Sequence, residues 1–562
     1  MRHAAIRPIH PTSLANSVAA ECVCPMPSCE PPAPPQAICP PDPSNSPTML
    51  LATPIHVRIG ALLLPSLFAT LLPAQGSLRG IALPLPANLA QVVKDRDAAV
   101  RLGKALFWDQ QVGGDGQTAC ATCHFHAGVD SRTNNTVNPG SNGVFDSGKL
   151  PGAEVTAADF PLRGDDILGS QGVVASTFVG LDQNDPLARD LAVQVDDGVY
   201  FPNRQVTGRN SPSILMGVFY EENFWDGRAK ETFNGVDISG SAAQRVWVQS
   251  GPGITQQSVQ LAPASAASQS VGPPLSAVEM TCAGRDFATM GRKLLGRMPL
   301  ALQLVAADDS ALGSLSNAPQ PGLATTYPDM IRAAFHDRFH ASTVRTPNGF
   351  SQMEANFTLF WGLANLLYNA SLIPDQTPQD AFAEGNRNAL SASQRRGAQV
   401  FTGKGRCDAC HGGPEFSAAS IENGRNGWHF ENLGISDQRL DPGQGDGMFK
   451  SVTLRNIELT GPYFHTGKYL TLRQVVDFYD RGGDFDNKDK NAQVRRLGLT
   501  EQEKTDLVAY MLSLTDERVR FERAPFDHPS LELPGIAPLP AVGREGRSQP
   551  IRTFLNADPF AR

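Results

Sequence analysis

Cys120-Ala-Thr-Cys123-His124 and Cys407-Asp-Ala-Cys410-His411 are the residues of this chain with the most specific chemistry. Two thiols three positions apart, followed at once by histidine, can add to the vinyl groups of a haem as thioethers. The imidazole then meets the iron from the proximal side. Chance placement of 9 Cys and 11 His over 562 residues gives about 0.003 such strings; two occur. A zinc site needs further ligands at tetrahedral spacing, and neither string has a second half nearby. A redox Cys-x-x-Cys would sit beside a βαβ pattern, and none is visible. The residues therefore predict two covalently bound haem c groups, on Cys120, Cys123 and His124 and on Cys407, Cys410 and His411.

Two haems can serve electron transfer, with both irons six-coordinate, or catalysis, with one iron face open. His126 is too close to His124 to reach the far face of the same haem, and reads as a propionate or surface histidine. No other His or Met occurs over 127–215, which leaves Tyr200 as the nearby competitor. The first haem is therefore expected to be open. For the second, His429, Met448, His465, Tyr479 and Met511 all lie downstream, and spacing alone does not choose among them.

The elements that must hold these groups are mainly helical. Apolar residues recur at helical spacing over 95–109, 289–307, 330–339 and 353–372. Three further helices are expected over 390–403, 471–483 and 499–517. Ser391 is a candidate N-cap, "RGG" a stop, and Thr500 with Glu503 a capping box. The stretches 127–206 and 237–269 are loop-rich, with little sustained period. The expected fold is mainly α: two cytochrome c-like haem domains with long irregular loop insertions. The boundaries are 77–385 for an N-terminal haem domain with both insertions, 386–520 for a C-terminal haem domain, and 521–562 for a tail packing on them.

Residues 1–48, rich in Pro and Ser and holding Cys22, Cys24, Cys29 and Cys39, read as a disordered extension that lies upstream of the true start at Met49. Residues 49–74 have Arg58, an apolar run broken by Pro65, and small residues near Ala74. This is a signal-peptide pattern, too short for a comfortable span. It implies a periplasmic or otherwise exported protein with no membrane span after cleavage. The four thioether positions and the unpaired Cys282 are then the remaining cysteines. A net charge of −8 with no basic stripe gives no indication of nucleic-acid binding.

Three segments carry a family resemblance. "SVTLRNIELTGPYFHTGKYLTLRQVVDFYDRGG" (451–483) looks like the C-terminal haem domain of bacterial diheme cytochrome c peroxidases. "GRNSPSILMGVFYEENFWDGRAKETF" (208–233) resembles the stretch between their haems, and "PLSAVEM" (274–280) their distal-pocket segment. The likeness runs over about 83–516. It implies Tyr479 as sixth ligand of the second haem, where peroxidases generally have Met and the related enzyme MauG has tyrosine. It implies Glu279 as the distal general acid/base with Gln269 beside it and Pro273 between them, and Trp225 as the aromatic ring between the haems. Asp226 and Arg228 would hold the Trp225 loop. His465 would lie near the haems without ligating. A calcium ion would be held by the Asn210 side chain and the carbonyls of Thr460 and Pro462. Peroxidases that need reductive activation carry a distal His a few residues before "RN". Here "FPNRQVTGRN" has none, as in MauG.

The resemblance implies an enzyme that reduces hydrogen peroxide at the His124 haem. Electrons would arrive from a small c-type cytochrome or cupredoxin and pass through the His411 haem, in a homodimer. The alternatives are a MauG-like or rubber-oxygenase-like oxidase acting on a protein or organic substrate, and an electron-transfer cytochrome without catalysis.

Overall fold

The computed structural model describes residues 75–422 and 429–562. The expected extension over 1–48 and signal peptide over 49–74 lie outside the described residues. Each haem motif follows a capped helix that crosses a later helix at close range. α1 (Arg96–Trp108) begins where the Asp95 carboxylate accepts from the Ala98 amide at 2.9 Å. The short α2 (Ala121–His124) carries the first motif. α3 (Ser265–Ser270), α4 (Phe287–Leu294), α5 (Tyr327–Ala334) and α6 (Gln352–Ala355) lead to α7 (Phe357–Ser371), whose residues are almost all buried. α8 (Pro378–Ala383) precedes α9 (Ala392–Thr402), whose Ser391–Gln394 capping box starts the approach to the second motif. α10 (Leu472–Arg481) ends on Gly482 at φ 91°, and α11 (Glu501–Leu512) has the expected Thr500–Glu503 box.

Glycine permits both crossings. A Cβ at Gly103 of α1 would strike the Ala364 carbonyl of α7, and one at Gly397 of α9 would strike the Asp506 carbonyl of α11. The crossings lie in the two main hydrophobic cores, and a small third cluster joins Val137, Val155, Phe160, Leu162 and Leu168 to Leu470 and Phe554. The larger draws on 78–372 together with Leu459, Val519, Leu531, Leu533 and Ile551. The second draws on 390–514 and includes Phe401, Phe478, Tyr510 and Met511. The described residues nonetheless all belong to one compact unit. The C-terminal segment reaches both cores: His528 stacks on Trp108 at 4.6 Å, and the Pro559 carbonyl accepts from the Arg473 amide at 2.9 Å.

Several elements differ from the sequence expectation. The helix expected over 289–307 stops at Leu294, because Gly296 and Pro299 follow, and the chain beyond is held by side chains. Gln111 donates to the Met298 carbonyl at 2.9 Å, and Asp109 accepts from the Leu300 amide at 2.8 Å. The helix expected over 330–339 is α5 followed by a separate 3-10 turn, Asp337–Phe339. The helix expected over 353–372 breaks at Asn356, whose amide donates to the Trp247 and Phe339 carbonyls.

The loop-rich stretches contain antiparallel ribbons: β1 (Val137–Asn138) with β2 (Ile167–Leu168), β3 (Ser176–Leu181) with β4 (Asp190–Gln194), and β5 (Val246–Ser250) with β6 (Gly253–Gln257). β7 (Phe430–Glu431) and β8 (Phe449–Lys450) form a fourth. In β5 the buried Val246 and Val248 alternate with more exposed residues, and Gly251 at φ 56° turns the chain.

Candidate active site

α2 brings Cys120, Cys123 and His124 to the wall of a cavity of about 630 Å³. The Nδ1–H of His124 donates to the Gly128 carbonyl at 2.8 Å, which leaves Nε2 for an iron. Burial pushes both thiols up to about 12, and each feels the Glu279 charge. The same cavity is lined by Gln269 from the end of α3 and by Pro273, Glu279 and Met280 from the segment after it. α3 is pinned by Ser265, which donates to the Tyr220 carbonyl at 2.6 Å. Burial raises the Glu279 carboxyl above the usual carboxylate range, against the opposing pull of Arg228 and the Ser276 hydroxyl. The first insertion frames this segment. The Val173 amide donates to the Val278 carbonyl at 3.0 Å, and Phe178 to Ala283 at 2.9 Å.

The second motif opens on a larger cavity, about 1350 Å³, lined by Cys407, Cys410 and His411 and by apolar side chains including Phe401, Leu472, Val476 and Leu507. His411 Nδ1 donates to the Val452 carbonyl at 3.0 Å, and burial pushes the imidazole down to about 4, keeping it neutral for ligation. Of the five candidate partners, His465, Tyr479 and Met511 line this cavity; His429 and Met448 do not. His429 lies 3.5 Å from Glu221. His465 is held by Asp441 at 2.8 Å and stacks on Phe449. Tyr479 comes from α10, and its hydroxyl makes no hydrogen bond among the described residues. Met511 packs in the second core. The paired thiols, the oriented imidazoles and the apolar walls fit a covalently attached haem at each cavity.

Between the two lies a third cavity of about 640 Å³ that shares Gln269 with the first and Trp225 with the second. Trp225 donates to the Asn210 carbonyl at 2.8 Å, and its ring meets His465 edge-on at 6.0 Å. Asp226 pairs with Arg228 at 2.8 Å. Asn210, Thr460 and Pro462 all line this space. The Asn210 amide donates to the Pro462 carbonyl at 2.7 Å, so a hard cation here would need that amide to present its oxygen. The lining residues include no carboxylate.

Two expectations are corrected. Tyr200 is not at the first cavity; its ring packs edge-on against Phe145 at 6.4 Å. His126 is not a surface residue: it is half-buried, with Nδ1 3.2 Å from the Ser131 hydroxyl and with Glu522 and the Arg552 backbone nearby. Two lining amides escaped the sequence reading. Asn365 and Asn369 face the first cavity from α7, and Asn365 Oδ1 is buried without a partner. Their signal was two amides four residues apart on an otherwise apolar helix.

The model of the di-haem cytochrome c peroxidase family matches residues 97–388, just over half of the chain. Cytochrome-c peroxidase IdrP1 of Pseudomonas sp. is 32% identical over 206 residues, 31% of this chain and 52% of that protein. Cytochrome c551 peroxidase of Pseudomonas aeruginosa is 25% identical over 328 residues, 56% of this chain and 66% of that protein. The methylamine utilization protein MauG of Methylorubrum extorquens is 29% identical over 160 residues, 27% of this chain and 42% of that protein. The chain spans about half the length of the first of these relatives. Among solved structures, a MauG-like protein associated with microbial copper homeostasis aligns at 18% identity and TM-score 0.44, over 76% of this chain and 92% of that one. The diheme peroxidase BthA of Burkholderia thailandensis aligns at 18% and 0.40, over 78% and 90%. With the family model spanning 97–388, the first haem motif and its cavity included, the chain belongs to the di-haem cytochrome c peroxidase family.

Proposed function

We propose that this chain is an exported diheme c-type cytochrome peroxidase that reduces hydrogen peroxide at the His124 site, with electrons relayed through the His411 site. The supporting observation is that Cys120, Cys123 and His124 share one cavity with Gln269 and Glu279. Haems held by Cys120, Cys123 and His124 and by Cys407, Cys410 and His411 would supply redox iron. Reduction of peroxide to two waters takes two electrons and two protons. Glu279 accepts the proton from one peroxide oxygen and delivers it to the departing oxygen, while the Gln269 amide orients the molecule. Trp225 occupies the wall between the cavities, where it can pass electrons. Tyr479 lines the same cavity as His411 and would be the other ligand of the second iron. Residues 77–385 would then form the peroxidatic domain, 386–520 the electron-entry domain and 521–562 a tail bracing both. Calcium on Asn210, Thr460 and Pro462 would take most of its shell from water. A homodimer is the proposed assembly.

Tyr479 supports a second reading, a MauG-like oxidase of a protein or organic substrate, because an oxygen ligand favours the ferric and higher states. Turnover separates the two. The two-haem protein is mixed with peroxide and a reduced small c-type cytochrome or cupredoxin. Fast, stoichiometric oxidation of the donor supports the peroxidase. Peroxide consumption with no faster donor oxidation supports the oxidase and overturns the first reading.

A further inference from the structure

Seven lysine and arginine side chains of the described residues are buried, and six have a carboxylate. Lys104 pairs with Asp309, Arg132 with Asp130, Arg285 and Lys293 with Asp190, Arg455 with Asp380 and Arg473 with Asp477. Lys450 is the exception. It is 5% exposed, and its ammonium donates only to neutral oxygens, Asn223 Oδ1 at 3.0 Å and the Glu222 carbonyl at 3.3 Å. The Tyr220 ring centroid lies 4.0 Å away. The nearest carboxylates are engaged elsewhere: Glu222 with Lys230 at 2.9 Å and Asp226 with Arg228 at 2.8 Å. A buried ammonium with no paired counter-charge is costly, and burial pulls Lys450 toward the neutral form against the weaker pull of Asp226 and Glu222.

Lys450 lines two cavities, the one with Cys407, Cys410 and His411 and the one between the haem sites, and not the cavity of His124. A haem c carries two carboxylate arms. Thioether bonds to Cys407 and Cys410, with His411 beneath, would hold the macrocycle in the cavity that Lys450 lines. We propose that Lys450 is the counter-ion of a carboxylate arm of the haem on Cys407 and Cys410, and so a binding residue for that haem. The inference rests on the two-haem reading, which intact mass tests separately.

The experiment compares the two-haem wild type with Lys450→Met, Lys450→Gln and Lys450→Arg. Intact mass first establishes haem loading. Spectroelectrochemical titration then reads both potentials, and resonance Raman reads the carboxylate-arm bending bands. Loss of a nearby positive charge favours the ferric state. Lys450→Met and Lys450→Gln should therefore lower the potential of the second haem and move its carboxylate-arm band, leaving the first haem unchanged. Lys450→Arg should keep both near wild type. Gln retains length and hydrogen bonding, so the charge is still read if Met is not tolerated. A second-haem potential unchanged in Lys450→Gln, or a shift shared equally by both haems, overturns the proposal. Wild type with a single haem overturns the two-haem reading instead.

Discussion

Replacing Glu279 with Gln removes a proton acceptor and keeps the shape of the first cavity. General acid–base catalysis of this kind contributes about 10²–10⁴-fold, or about 2.7–5.5 kcal/mol at 1.36 kcal/mol per decade. The structure points to the lower half of that range. Gln269 lines the same cavity and would still orient peroxide. The expected loss is about 10²–10³-fold in the second-order rate with peroxide, measured by stopped flow on protein shown by mass to carry two haems. The pH profile gives a second check. A base must be ionised to act, so the rate rises with pH through its pKa. Burial raises the Glu279 carboxyl, which moves that limb above the ordinary carboxylate range in the wild type. The limb should vanish in Glu279→Gln. A variant rate within threefold of wild type, with the same pH profile, would refute the assignment.

Tyr479→Met should raise the potential of the second haem, since thioether in place of phenolate favours the ferrous state, whereas Met511→Leu should leave it unchanged; redox titration of both variants reads this. Met280→Leu should leave the first haem's spectrum intact, because Met280 sits in the larger core; a lost sulfur-to-iron band would make it a ligand instead. Gly103→Ala forces a Cβ onto the Ala364 backbone and should cost about 1–3 kcal/mol, read as a fall of several degrees in Tm.

The haem motifs were legible because covalent attachment puts its three reacting residues within five positions. α9 and α11 were legible for a related reason: their start signals, Ser391 as N-cap and Thr500 with Glu503 as capping box, are local. The run over 289–307 was misread, since its apolar period hid the local stop at Gly296 and Pro299; the path beyond, held by Asp109 and Gln111 nearly two hundred residues earlier, was not legible. The β5–β6 ribbon did leave a trace, Val246 and Val248 in alternation before Gly251, within a stretch whose Ser, Gln and Gly content read as loop. Gln269 and Glu279 came from a resemblance, and the shared cavity supplies their physical rationale. Lys450 left no trace at all. Nothing in "MFKSV" distinguishes it from a surface lysine, and only its burial and the prior engagement of Glu222 and Asp226 single it out.

The central claim is a division of labour: a first haem site open to peroxide and a second closed by Tyr479. Cyanide titration of the oxidised protein tests it most directly, with haem content fixed by intact mass. The account predicts two haems and one cyanide bound per chain, at the haem whose attachment is lost in Cys120→Ala/Cys123→Ala. No cyanide bound would mean that both irons are closed, as in an electron-transfer cytochrome. Two bound, or one bound at the haem on Cys407 and Cys410, would contradict the assignment of the sites.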